Sequence, residues 1–318
     1  MSTIDWKRHY RDEIDSAWGR SAVREAFARS PMGDSSLIRI LLDGGIVSFP
    51  HTTLRDSAEP TARVAASIFA GAFDRVVAIG VLHLGRLAEP DRSLAAELLG
   101  AGPRAPEAFA RFGGAFAEEG DVAGLGFDPQ LVGQEFSLDL FRAILDAGAR
   151  ERDVAPPQVT RIYVGATRDP AGSFSAAKSV ANAVRPLLVP GVACVTTGDL
   201  VHFGHGYSSP EQIAALPQDV PSLERHFEAR VRAMFDMAFT GGDVAGAFDV
   251  AARELRSDQR NVLPVLAMLL GPGARADVVS FRLSDYGPIL GEPPPCLVAT
   301  SVVAMSRASP PVPPSPGA

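Results

Sequence analysis

The chain has 318 residues, a net charge of −7, 46% apolar and 21% charged residues. That length buries a core without disulfide or metal staples, so a bound metal is expected to serve chemistry rather than stability. The acidic balance argues against a nucleic-acid partner, which needs a basic face. No run of about 18 uncharged apolar residues occurs, and the first residues are charged without a secretory core. The expectation is a cytoplasmic protein with a small-molecule substrate and no membrane partner; a homo-oligomer is left open. The two cysteines, Cys194 and Cys296, are expected to be reduced and buried.

Residues 4–30 place Trp6, Ile14, Trp18, Val23 and Phe27 at helical spacing among charges, so residues 1–36 read as a helical N-terminal extension. Residues 37–42 and 45–49 read as strands around the turn Asp43-Gly44-Gly45. A helix is expected over 61–73. The continuous apolar run over 75–82 has the character of a buried central strand. Residues 86–133, rich in Ala, Gly and Pro, read as a helical insertion with pieces near 92–99 and 105–118. Then follow a helix over 135–149, a strand over 161–164, a helix over 175–188 and a strand over 192–197. Helices near 220–239, 243–256 and 260–270 precede strands near 276–283 and 295–304. Strands alternating with helices indicate one large α/β domain over 37–305, a central mixed sheet flanked by helices. Five prolines in residues 308–318 mark a tail, 306–318, expected to be disordered.

The chain has six histidines. His9 and His226 sit among charged helical residues and read as surface. His51, His83, His202 and His205 follow predicted strands. Ligands of open α/β sheets bind beyond the carboxyl ends of the strands, so histidines delivered there point to a metal site as readily as to capping roles. Imidazole suits iron, copper, zinc and nickel alike. No H-E-x-x-H, C-x-x-C, G-x-G-x-x-G or P-loop pattern occurs.

The order of short motifs resembles the Memo family, which is related in fold to the catalytic subunits of class III extradiol ring-cleaving dioxygenases. Pro50-His51-Thr52-Thr53-Leu54 stands where the family has P-H-A-G-Y. Ile79-Gly80-Val81-Leu82-His83-Leu84 is similar to L-G-P-S-H-H, and Glu135-Phe136-Ser137-Leu138-Asp139 to E-H-S-L-E. Arg161-Ile162-Tyr163-Val164-Gly165-Ala166 matches P-V-L-V-G-A. Thr197-Gly198-Asp199-Leu200-Val201-His202-Phe203-Gly204 matches S-S-D-F-S-H-W-G, and Asp258-Gln259-Arg260-Asn261-Val262-Leu263 stands at C-G-R-H-P-I. The resemblance covers roughly residues 37–305.

The resemblance implies a metal site of His51, His83 and Asp258, with Asp258 in place of the Memo cysteine. Two histidines and a carboxylate are the donor set of non-haem Fe(II) oxygenases; a thiolate would favour softer metals. Fe(II) is therefore the expected ion, with copper or manganese as alternatives and O₂ as co-substrate. His202 takes the place of the acid/base histidine, and an imidazole with a pKa near about 6.5 suits that task. Asp199 either orients His202, approaches the metal in place of Asp258, or caps the following segment. Asp258 has a capping alternative of its own, shared with Ser257. Phe136, where Memo proteins have histidine, is expected to make the pocket drier. The leading expectation is an Fe(II)-dependent dioxygenase of a small aromatic or electron-rich substrate. The alternatives are a Memo-like redox or scaffold protein without ring cleavage, and a hydrolase using His202 and Asp199.

Overall fold

The computed structural model describes residues 4–30, 32–120 and 122–308. Nine strands build one mixed sheet: β1 (Ile46–Phe49), β2 (Arg75–Val81), β3 (Ala115–Ala117), β4 (Gly126–Phe127), β5 (Gln158–Val164), β6 (Val192–Thr197), β7 (His202–Gly204), β8 (Arg275–Asp285) and β9 (Cys296–Ser306). Their order is β4-β3-β5-β2-β6-β1-β9-β7, with β8 paired to β9. The centre, β5-β2-β6-β1, is parallel; β9 and β3 join it antiparallel on either side.

Alternation along the central strands divides the core between the two faces. Ile46, Val77 and Ile79 point to one side, where helices Ser175–Val184, Val220–Phe239 and Val262–Leu270 bury Val180, Val231 and Val265. Val47, Phe49, Val76 and Ala78 point to the other, against Phe27, Leu37, Val64 and Phe141 of helices Ala17–Arg29, Ser35–Leu42, Leu54–Ala70 and Asp139–Arg152. Both faces are covered, which explains why β2 reads as an unbroken apolar run.

Several expected elements need correction. Residues 37–42 are not a strand: Ser35–Leu42 is a helix. Asp34 caps it by accepting from the N–H groups of Ser36 and Leu37, and Leu37 and Leu41 bury one face at the i,i+4 spacing. The helix expected from residue 61 starts at Leu54 and runs through Pro60, because Leu54, Ala58, Ala62 and Ala65 are buried and packing outweighs the proline. The helix expected to reach residue 118 stops at Phe112; Ala115–Ala117 pairs with Ile162–Val164, so the 86–133 segment extends the sheet as well as covering it. The helix expected from 135 begins at Asp139. The helix expected over 243–256 divides into Val244–Asp249 and a π-helical turn, Val250–Glu254. Ser306 closes β9, and residues 309–318 of the expected tail lie outside the described residues.

β1 and β7 lie on the same edge of β9, β1 against Val303–Met305 and β7 against Cys296–Val298. The chain therefore leaves β1 at Phe49 facing the start of β7, and the gap between them is where the histidines meet. No described helix is long and apolar enough to cross a membrane.

Candidate metal centre

Three adjacent parallel strands, β2, β6 and β1, end side by side, and each delivers one polar residue just past its last hydrogen-bonded pair. β1 gives His51, β2 gives His83 and β6 gives Asp199. His202 opens β7. Asp258 comes from the 3₁₀ turn Asp258–Asn261, which is held against the sheet because its N–H and the Ser257 hydroxyl both donate to the Asp199 carbonyl. Gly198 admits this turn: a Cβ there would collide with the Gln259 side chain.

Asp258 is the hub of the cluster. Its Oδ2 lies 3.3 Å from His83 Nε2, 3.5 Å from His51 Nε2 and 3.7 Å from His202 Nε2. The two nitrogens of His51 and His83 are 3.2 Å apart. Donors about 2.1 Å from one ion lie roughly 3.0–3.4 Å apart at octahedral to tetrahedral angles, so this spacing fits ligands of a common metal. Two triads meet the proximity a metal requires, His51–His83–Asp258 and Asp199–His202–Asp258, and they share Asp258.

The far nitrogen of each ring has a fixed partner. Thr197 Oγ1 gives its hydrogen to the Phe49 carbonyl, so it accepts from His51 Nδ1 at 3.2 Å. Glu135 Oε1 accepts from His83 Nδ1 at 2.9 Å, and the Arg256 carbonyl accepts from His202 Nδ1 at 2.9 Å. With Nδ1 as the donor, each Nε2 is the nitrogen turned to the centre, where it can hold a proton or give its lone pair to a metal that displaces the proton.

Glu135 is tied down further, accepting from the N–H groups of His83, Phe136 and Ser137. Ser137 in turn bonds both backbone groups of Val81 at the end of β2. Gly80 is the residue that lets it approach, since a Cβ there would meet Ser137 Oγ at 2.9 Å.

The charges are strongly coupled. Burial pushes the His83 imidazolium down, but Glu135 and Asp258 outweigh it and lift His83 to about 10. Burial pushes Asp258 up, yet His202 and His83 hold it well below the usual carboxylate range. Glu135 is lowered, burial being outweighed by His83 and its backbone donors. Asp199 is raised, mainly by burial. The cluster thus pairs buried imidazoles with carboxylates and favours a cation at its middle, a proton or a metal ion.

The cluster forms the floor of a cavity of about 180 Å³. Phe136 stacks on His83 with ring centres 4.6 Å apart. Tyr10 lies against Phe136, Trp6 stacks on Tyr10, and Tyr207 stands beside His202. Trp6 and Tyr10 belong to the first helix, Trp6–Asp15, so residues read as an extension build part of the wall. Lys7 fixes that helix by donating to the carbonyls of Gly133 and Glu135. A larger groove, about 430 Å³ between Ile14, Val23 and Ala147, holds no histidine or cysteine.

The structure brings His51, His83, Asp258, His202 and Asp199 together. Capping of the 3₁₀ turn falls to Ser257, whose hydroxyl accepts from Gln259 N–H, and Asp258 is free of that role. Asp199 is not a cap either: Oδ1 accepts from His51 N–H, and Oδ2 stands 3.9 Å from His51 Nε2. His205 does not join the cluster; its N–H bonds the Pro295 carbonyl. Cys194 and Cys296 are free and buried. Sequence reasoning placed Phe136 in the pocket but missed Glu135, Thr197, Trp6, Tyr10 and Tyr207 as parts of the site. For Glu135 the available signal was a carboxylate set between Val132 and the apolar Phe136 and Leu138. Compared with known proteins, the chain matches no family model, and no curated protein is detectably similar in sequence.

Proposed function

We propose that this protein is a non-haem Fe(II)-dependent oxygenase acting on a small aromatic or electron-rich molecule. The observation that carries the reading is the convergence of three imidazole Nε2 atoms on one Asp258 oxygen, each ring held by its Nδ1. His51, His83 and Asp258 would hold the ion, a two-histidine, one-carboxylate set suited to Fe(II) or manganese rather than to copper. When bound, the ion supplies Lewis acidity, a redox couple and a template for O₂ and substrate. The resemblance of the motif order to Memo proteins and class III extradiol dioxygenases supports the same assignment.

The chain's own residues do the rest. His202 donates Nδ1–H to the Arg256 carbonyl, so Nε2 is the nitrogen turned to the cavity, and in the neutral ring it would accept a proton from a substrate hydroxyl and later return it. Asp199 fixes the His51 backbone. Phe136, Tyr10 and Trp6 offer flat apolar faces to a planar ring and limit water at the floor. Protein purified without oxygen should contain about one iron per chain and take up O₂ when small phenols are added. Metal without O₂ uptake over a broad phenol panel would replace this reading by a metal-binding protein with no oxygenase activity.

A further inference from the structure

The cavity has a floor of imidazoles and carboxylates and a mouth of a different kind. The three carboxylates Glu135, Asp199 and Asp258 are all engaged by histidines or backbone N–H groups. The remaining charged residues that line it are Arg86 and Arg256. Arg86 ends the 3₁₀ turn Leu84–Arg86 that follows His83, and its guanidinium lies 5.6 Å from the centre of the Trp6 ring. Its side chain makes no hydrogen bond or ion pair among the described residues. Arg256 donates to the neutral amide oxygen of Gln212 at 2.6 Å and meets no carboxylate among the described residues. Other arginines are matched with acids: Arg111 and Arg161 each clasp two carboxylates, and Arg232 bonds Glu228 and Asp277, whereas Arg185 and Arg260, like Arg256, bond neutral oxygens.

Arg256 also has a backbone reason to be noticed. Its φ is +51°, in the left-handed region that disfavours side chains other than glycine. In that conformation the Arg256 carbonyl holds His202, and the residue lines the cavity. Asp199 and Asp258 line the cavity and are engaged by histidines or backbone N–H groups, while Glu135 stands behind His83, so the two guanidiniums are the charges left to meet a ligand. Guanidinium matches a carboxylate through paired N–H donors. The volume, about 180 Å³, is below the roughly 300–1,000 Å³ of drug-sized sites and suits a single ring.

We propose that the ligand of this cavity is a small aromatic carboxylate, held by Arg86 and Arg256 at the mouth with its ring among Trp6, Tyr10 and Phe136. This rests on reading the cavity as a substrate site, and it sets the substrate class within that reading. The test compares 4-hydroxybenzoate with 4-hydroxybenzamide, which share shape and differ in charge. Binding is measured by calorimetry under anaerobic conditions, on metal-free and on Fe(II)-loaded protein. The carboxylate should bind at least about tenfold more tightly, as a charge-assisted pair contributes. Arg86→Gln, at an exposed position tolerant of change, should remove most of that preference and leave the amide's affinity unaltered. Arg256→Gln should act the same way. Equal binding of the two probes, binding of neither, or a preference that survives both substitutions overturns the proposal. If the oxygenase reading alone is wrong, the charge preference persists while O₂ uptake is absent.

Discussion

Nε2 of His51 stands 3.2 Å from Nε2 of His83, and neither ring is free to turn away. Thr197 holds one from behind and Glu135 the other. Two lone pairs at that separation repel unless a cation lies between them. The fold thus pre-forms a cation site and holds it open with hydrogen bonds that belong to the scaffold.

Replacing either histidine of that pair by alanine should abolish stoichiometric metal binding. Metal content of anaerobically purified protein, read by elemental analysis, checks it. Iron retained in full by both His51→Ala and His83→Ala would end the assignment.

Asp258 and Ser257 are neighbours with separable duties. Ser257→Ala removes the cap and should cost about 0.5–2 kcal/mol of unfolding free energy with the metal still bound. Asp258→Ala should lose the metal, and it should also destabilise the metal-free protein, because His202 and His83 lose the carboxylate they hold in its charged form. Asp258→Cys is the sharper substitution: a thiolate at the hub should turn preference toward copper. Unchanged iron binding in that variant would transfer the carboxylate role to Asp199.

His202 is held by the Arg256 carbonyl and faces the cavity from β7. His202→Ala should keep its metal and lose about 10²–10⁴-fold in turnover, the usual contribution of a positioned acid/base. If this variant is as metal-poor as His51→Ala, His202 is a ligand, and the Asp199–His202–Asp258 triad is the one that binds.

Far from the centre, Asp34 links pH to stability. Burial pushes its carboxyl up, but hydrogen bonds from Ser36 and Arg63 outweigh this and bring it to about 2. A carboxyl lowered on folding stabilises the native state above its unfolded value, near about 3.9, and that stabilisation fades as pH falls toward the folded value. Asp34→Asn should therefore cost about 1–2 kcal/mol at pH 6 after allowance for solvent screening, and roughly half as much at pH 3. Urea titrations of both proteins at the two pH values measure the gap; a gap that stays constant or widens in acid contradicts the linkage.

The α/β class, the buried central strand over residues 75–82 and the strand-end histidines were legible in the sequence because they depend on local pattern. Apolar runs bounded by turns make strands, and residues just past a strand end lie at the sheet's carboxyl edge whatever the topology. Local pattern misled where two periods fit the same residues. Ser35–Leu42 satisfies a short strand as well as a helix, and burial of Leu37 and Leu41 against Val64 and its neighbours decided for the helix. Pro60 marked a boundary in the sequence that packing of the Leu54–Ala70 helix overrode.

The sequence alone offered the donors: His51, His83, His202 and His205 after predicted strands, Asp199 beside His202, and Asp258 through the order of motifs. Only the tertiary structure decided that all of these but His205 meet. The strand order places the ends of β2, β6 and β1 side by side, and β9 aligns β7 with β1 across a gap. The same holds for the partners that orient them. Glu135 lies 52 residues from His83, Thr197 146 from His51 and Trp6 far from both, and separations of that size are closed by sheet pairing and helix packing, to which no local pattern is sensitive.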